Sequence, residues 1–175
     1  MSEVSDEALL VLYANGDRDA ARSLTLRLAP RIMAHAYRML GDRAEAEDVT
    51  QDALLRLWKI APDWRQGEAQ VTTWLYRVTA NLCTDRLRKA GTSALDDGPD
   101  VADGTPSVAD QMQAKARAEA LNAALQALPE RQREAVSLRH IEGLTNPDIA
   151  EIMDISVEAV ESLTARGKRA LAAAL

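Results

Sequence analysis

The sequence predicts an all-α protein: two small helical domains joined by a flexible acidic linker, the second carrying a helix-turn-helix. Three observations predict this. The 175 residues are 47% hydrophobic, yet Phe is absent, and helix-breaking Gly (8) and Pro (6) are few, so cores form while strand formers are scarce. Apolar residues recur at three-to-four spacing through residues 5–90 and again through 108–175. Between these blocks, residues 91–107 read GTSALDDGPDVADGTPS, a Gly-, Pro- and Asp-rich run with little helical period.

In the first block, Ser5-Asp6-Glu7 opens a helix and Asn15-Gly16-Asp17 closes it. Leu24, Leu28, Ile32, Ala36, Met39 and Leu40 form the next apolar row, with an interruption expected at Pro30. Asp42 followed by Glu45 is a capping box for a helix from about Arg43 to Ile60, with Val49, Ala53, Leu54 and Leu57 on one face. Pro62 ends that helix, and 63–70 is a polar loop. A long helix then runs through Trp74, Val78, Leu82 and Leu87 to about Lys89. In the second block, Leu121, Leu125 and Leu128 anchor a helix that breaks at Leu128-Pro129-Glu130. Ala135, Leu138 and Leu144 continue the apolar set. The domains therefore span 1–90 and 108–175, with 91–107 between them.

Residues 145–163 read TNPDIAEIMDISVEAVESL and have the spacing of a helix-turn-helix. Ile149, Ala150 and Met153 give one apolar face, and Val160 and Leu163 resume it. Thr145 with Asp148, and Ser156, are placed to cap the two helices. Asp154 stands at the sharp turn, where positive φ is common and Asp is among the tolerated residues. The second helix of such a pair ordinarily enters a DNA major groove; the plainer reading is a pair of short core helices. On the second helix, Glu158, Ser162, Ala165, Arg166 and Arg169 share one face. Arg166 and Arg169 suit guanine or phosphate, and Glu158 a cytosine amino group. A solvated last turn favoured by the helix dipole is the alternative for Arg166, Lys168 and Arg169.

Charge argues against a free-standing DNA binder. The net charge is −6, whereas phosphate-binding domains are usually basic. The distribution is uneven, however: five Lys/Arg against two Asp/Glu in 65–90, then five Asp and no base in 91–112. A basic strip followed by an acidic linker suits a protein that meets DNA when a larger partner presents it. One cysteine, Cys83, excludes an internal disulfide and a Cys-based zinc cluster, and a small core residue is its simplest role. Two histidines, His35 and His140, one Cys and no Gly-rich phosphate loop leave no catalytic set, metal site or cofactor site. His35 is read as a helix-face residue and His140 as part of the second domain's framework. No apolar run suggests a signal peptide or membrane span, so a cytoplasmic protein is expected.

The chain resembles the extracytoplasmic-function sigma factors, a class of bacterial sigma-70-like initiation factors. The first block carries Ala46-Glu47-Asp48-Val49-Thr50-Gln51-Asp52, Leu57-Trp58, Thr73-Trp74-Leu75-Tyr76-Arg77-Val78, Asn81 and Asp85-Arg86-Leu87-Arg88, which looks like the family's domain two. The second carries Leu128-Pro129-Glu130-Arg131-Gln132-Arg133-Glu134, Glu142-Gly143-Leu144 and the helix-turn-helix, which looks like its domain four. Two motif sets in the right order are more specific than either alone.

The resemblance implies roles by position. Asp48, Gln51, Asp52, Leu55 and Trp58 would dock on the clamp subunit of core RNA polymerase. The loop after Pro62 and the following helix would meet the opened non-template strand of the minus-ten element. There Trp64 offers a stacking face, expected to be exposed, and Arg65, Arg77, Asn81, Arg86, Arg88 and Lys89 line the DNA path. Burial is the competing reading for Trp74 and Tyr76, and is preferred for Trp74. The exposed face of the second helix-turn-helix helix would read the minus-thirty-five element, and an anti-sigma protein would be a further partner. Val71 and Thr72 stand where many members have Phe and Arg, and Glu158 and Glu161 where many have neutral or basic residues. The alternatives are a stand-alone helix-turn-helix regulator, disfavoured by the acidic charge and the first-block motifs, and an enzyme, for which no residue set is present.

Overall fold

Five of the helices start where a short polar side chain takes an unpaired backbone N–H. In the computed structural model, which describes residues 3–65, 67, 69–92 and 109–175, α1 (Asp6–Ala14) is capped by Ser5, whose Oγ accepts from Ala8 N at 3.1 Å. Asp17 caps α2 (Arg18–Leu40), and Asp42 caps α3 (Arg43–Ile60), accepting from Glu45 N at 3.0 Å. A 3-10 turn at 61–63 carries Pro62 and leads to α4 (Val71–Thr92). The second block comprises α5 (Ala109–Gln126), α6 (Glu130–Val136), a π turn over Ser137–Ile141, α7 (Asn146–Met153) and α8 (Val157–Ala174). No strand occurs among the described residues. Most of the acidic linker expected at 91–107 lies outside them.

The interruption expected at Pro30 is absent: α2 runs through it. Proline withholds one N–H and displaces the carbonyl four residues earlier. That carbonyl belongs to Leu26, which is 70% exposed, on the solvent side of the helix. The buried row Leu24, Leu28, Ile32, His35, Ala36 and Met39 passes Pro30 on the other side.

α2 and α3 pack against each other and against α4, around Leu24, Leu28, Ile32, Leu57, Leu75 and Tyr76. In the second block α8 lies against α6 and α7. The helix-turn-helix forms as its caps demand. Thr145 Oγ1 accepts from Asp148 N, Ser156 Oγ accepts from Ala159 N, and Asp154 turns the chain at φ 56°, ψ 50°. Ile149, Ala150 and Val160 are buried as the spacing predicts.

The two domains are packed against each other. α4 runs along α7, and α2 meets α5, α6 and the π turn. Ile152, off the predicted apolar face, is 2% exposed because that side of α7 is covered by α4. Leu138, Ile149, Ile152 and Val160 join one continuous core with Leu75, Tyr76 and Ala80. Burying a side chain of that size contributes about 1.5–3 kcal/mol, so the contact is a substantial part of the fold.

Candidate nucleic-acid and partner interfaces

α3 presents a face built by helical spacing. Asp48, Gln51, Asp52 and Leu55 stand at i, i+3, i+4 and i+7, which one helix side carries. Asp48, Gln51 and Leu55 are exposed, Leu55 at 66%. Asp52 accepts a charge-assisted bond from Arg56 at 3.0 Å, and Asp48 lies 4.0 Å from Arg86 of α4. Trp58 is half-buried at the edge of this set, its ring 4.9 Å from that of Tyr13 of α1. Beside the acidic face runs an apolar groove of about 420 Å³ between α2 and α3, lined by Leu26, Ala29, Pro30, Met33 and Gln51 among others. Its signal in the sequence is weak, because Leu26 falls off the buried row.

The residues expected to follow DNA on the first domain are spread along α4 and the loop before it. Arg65, Arg77, Asn81, Arg88 and Lys89 are exposed, and Arg86 is half-buried. Arg88 pairs with Asp85 at 3.8 Å. Asn81 lies at the rim of a polar cavity of about 320 Å³ that also touches Thr84, Glu130, Glu134 and Asp154, so it faces the second domain.

Trp64 departs from its expected exposure. It is half-buried, with Nε1 enclosed, and its ring meets Trp74 edge-on at 6.2 Å. The loop is polar, but the indole is the only large apolar group in it and folds back onto the first core. The burial preferred for Trp74 belongs more fully to Tyr76, 1% exposed, whereas Trp74 is half-buried under Trp64.

α8 places Val160, Thr164 and Gly167 inward and leaves Glu158, Ser162, Ala165, Arg166 and Arg169 exposed. Gly167 lets the helix approach α6 closely: a Cβ there would meet Val136 Cγ2 at 2.5 Å. Among the described residues neither Arg166 nor Arg169 enters an ion pair, so both guanidinium groups remain available to phosphate or base.

Sequence reasoning missed a buried polar cluster between the domains. His35 is fully buried, and its Nδ1 lies 2.9 Å from Ser137 Oγ. Burial, and then the charge of Arg38, holds its pKa down to about 3, so the ring is neutral. Glu142 takes Arg38 at 3.3 Å and Arg31 at 3.9 Å. Arg31 also sits over the Tyr76 ring at 5.6 Å. Burial, and then the charge of Glu142, raises the Tyr76 hydroxyl above its ordinary range. None of this follows from periodicity, since the partners are about 100 residues apart. His35, read as a helix-face residue, is interior for this reason, and His140 is exposed. Cys83 is 1% exposed. Burial, and then the charge of Glu134, pushes its thiol up to about 12, which keeps it protonated and unreactive.

Two family models match the chain, in the order of its domains: Sigma-70 region 2 over residues 24–92 and Sigma-70 region 4 over 118–171. The ECF RNA polymerase sigma factor SigE of Mycolicibacterium smegmatis is 33% identical, over 97% of this chain and 68% of its own length. SigM of Mycobacterium tuberculosis is 34% identical over 97% and 84%. SigW of Bacillus subtilis is 32% identical over 89% of each. Among solved structures, CnrH in complex with the cytosolic domain of CnrY superposes with a TM-score of 0.72 at 24% identity, covering 96% of this chain and 95% of that one. The sigma factor RpoE in complex with the anti-sigma factor NepR from Bartonella quintana gives 0.71 at 21%, covering 87% and 94%. These two share the fold. With both regions matched in order and several relatives above 30% identity over nearly its whole length, the chain belongs to the ECF RNA polymerase sigma factors.

Proposed function

We propose that this chain binds core RNA polymerase, directs it to specific promoters and helps to melt them. The observation that carries this is the pairing, in one chain, of two outward faces of different chemistry. The α3 face is acidic and partly apolar (Asp48, Gln51, Asp52, Leu55) and suits a protein partner; Trp58 contributes from its edge. The α8 face holds Ser162, Ala165, Arg166 and Arg169 clear of any ion pair, and suits the major groove. Arg166, nearer the N-terminal half that enters the groove, reads a base; Arg169 holds phosphate; Glu158 selects cytosine. On the first domain, Arg65, Arg77, Asn81, Arg86, Arg88 and Lys89 guide the opened strand, and Trp64 stacks an unpaired base after leaving Trp74. The domains are assigned as 1–90 and 108–175.

The site of action is the cytoplasm, where core polymerase and promoter are found, and no catalytic residue is proposed. An anti-sigma protein is a further partner. That reading is supported by the two structural neighbours, each held by a second protein, one of them an anti-sigma factor by name.

Run-off transcription tests the reading. Purified chain plus core enzyme gives discrete transcripts from fragments of its own genome, including the region upstream of its own gene. Absence of any transcript overturns it. A stand-alone regulator would instead retard a DNA fragment without core enzyme, which an acidic chain of net charge −6 is not expected to do.

A further inference from the structure

The polar cavity of about 320 Å³ lined by α4, α6 and the end of α7 carries three carboxylates: Glu130 and Glu134 of α6, and Asp154 at the turn after α7. Glu130 and Glu134 are four residues apart and share one side of their helix, where like charges repel. Among the described residues none of the three enters an ion pair. Glu130 accepts from Thr84 Oγ1 at 2.9 Å, and Asp154 is exposed at the rim. Glu134 is different. It is 6% exposed, it lines the cavity, and its Oε1 is enclosed with no hydrogen-bond partner. A buried carboxyl left so costs stability, and an acceptor of this kind points to a donor from outside the chain.

The cations nearby are otherwise placed. Arg133, next in sequence, is committed to the end of α2, donating to Met39 O and, at 2.9 Å, to Gln126 Oε1. Arg131 lies exposed on the rim and pairs with none of the three carboxylates. The segment 91–112 holds five Asp and no base.

Three carboxylates against one arginine call for a cation. Among the described residues no three His, Cys, Asp or Glu side chains converge closely enough to hold a metal ion. The volume instead reaches the range of organic-ligand pockets, about 300–1,000 Å³. Ala80, Ile152 and Met153 give the lining an apolar part, against which a methylene stem can lie. Acceptors on two elements are matched better by a guanidinium, with five N–H donors in a fixed fork, than by a compact ammonium. We propose that this cavity binds a guanidinium group on an aliphatic stem, with Glu134 as its buried counter-ion and Glu130 and Asp154 as further acceptors. That chemistry is shared by a free small molecule and by an arginine side chain of a partner protein.

Occupancy is then tied to a proton. Burial, and then the charge of Glu130, raises the Glu134 carboxyl to about 7, against the opposing charges of Arg131 and Arg133. From the other elements it is faced by the protonated Cys83 of α4 and by Asp154, while α8 turns the uncharged Thr164 and Gly167 inward. At pH 6 Glu134 must release its proton to take a cation; at pH 8 it is already charged. Affinity should therefore rise about tenfold between these values and level off above them.

Calorimetric titration of the full chain tests this. The probes are methylguanidinium, agmatine (a guanidinium on an alkylammonium stem) and N-acetylarginine amide, beside methylammonium and a sodium chloride control. At pH 8 the guanidinium probes should bind below about 10 mM, the range open to so few atoms, and methylammonium several-fold more weakly. The near-isosteric Glu134→Gln should weaken them about tenfold and abolish the rise between pH 6 and 8. Asp154→Asn, which the left-handed turn tolerates, should weaken them several-fold. At pH 6 the wild type should release about one proton per ligand, read from buffers of different ionisation enthalpy. Capped arginine bound as well as agmatine assigns the site to a partner's side chain; agmatine alone assigns it to a free small molecule. No binding by any guanidinium probe, equal affinity for methylammonium, or affinities that Glu134→Gln leaves unchanged would overturn the proposal. Should Glu134→Gln lose helix content by circular dichroism, Asp154→Asn and the proton release decide, and absence of both effects overturns it. The titration needs neither polymerase nor promoter, so its result is separate from that of run-off transcription.

Discussion

Gly167→Ala sets two magnitudes against each other. In an exposed helix interior the change stabilises by about 1 kcal/mol, because Gly loses more backbone entropy than Ala on folding. Here the new Cβ would lie 2.5 Å from Val136 Cγ2 and 3.3 Å from the backbone oxygen of Gln132. Val136 is 2% exposed and β-branched, so its χ1 has few alternatives. The remaining relief is to push α8 away from α6, and overpacking of this kind costs about 1–3 kcal/mol. The clash matches or outweighs the propensity, for a net loss of up to about 2 kcal/mol. In a protein of this size that lowers the melting temperature by up to roughly 8 °C. The assay is urea and thermal unfolding of wild type, Gly167→Ala, Val136→Ala and the double variant. Val136→Ala alone leaves a cavity, but in the pair the methyl introduced at position 167 partly refills it, so the double variant should be more stable than the two single losses added together. A Gly167→Ala protein stabilised by about 1 kcal/mol, the value for an open helix site, would refute the close-packing argument. Because α6 sets the tilt of α8, the variant should also weaken promoter use more than it weakens polymerase association.

Trp64→Ala removes a ring that packs on Trp74, so it should lower the melting temperature modestly; under the proposed function it should also reduce permanganate reactivity of the promoter bubble, with a stacking loss of about 1–3 kcal/mol. Normal bubble reactivity would leave Trp64 a packing residue only. Arg166→Ala should relax preference at one minus-thirty-five position at a cost of about 1–3 kcal/mol, whereas Arg169→Ala should weaken all promoters alike and lower the salt slope by roughly one; transcription across single-base variants of the element measures both. Glu134 is the site of a pH effect. Burial, and then the charge of Glu130, pushes its carboxyl up from 4.5 to about 7, so the folded chain keeps a proton that the unfolded chain has lost. Stability should therefore fall by about 3 kcal/mol as pH rises from 4.5 to 7 and level off above that. Glu134→Gln should flatten this part of the curve in urea titrations at fixed pH, and an unchanged slope would show that Glu134 is hydrated.

Local rules placed most of the helix boundaries. Ser5, Asp42, Thr145 and Ser156 cap helices from the sequence outward because a cap needs only its own next three residues. Asp154 takes its left-handed turn for an equally local reason. The helix-turn-helix and its outward face were legible for the same cause: 3.6-residue periodicity fixes which side chains share a side. Pro30 shows where the local rule stops. Whether a proline breaks a helix depends on where the carbonyl it displaces lies, and the exposure of Leu26 is a tertiary fact. Trp64 fails similarly: a polar loop predicts solvent, but an indole adjacent to Trp74 loses more by staying in water than by folding back. The contact between the domains was beyond the sequence altogether. His35 and Ser137 meet across 102 positions, and Arg38 and Glu142 across 104. No period or cap spans such a separation. A histidine, a serine and a glutamate each look ordinary until the fold removes their water, and only then must each find the other.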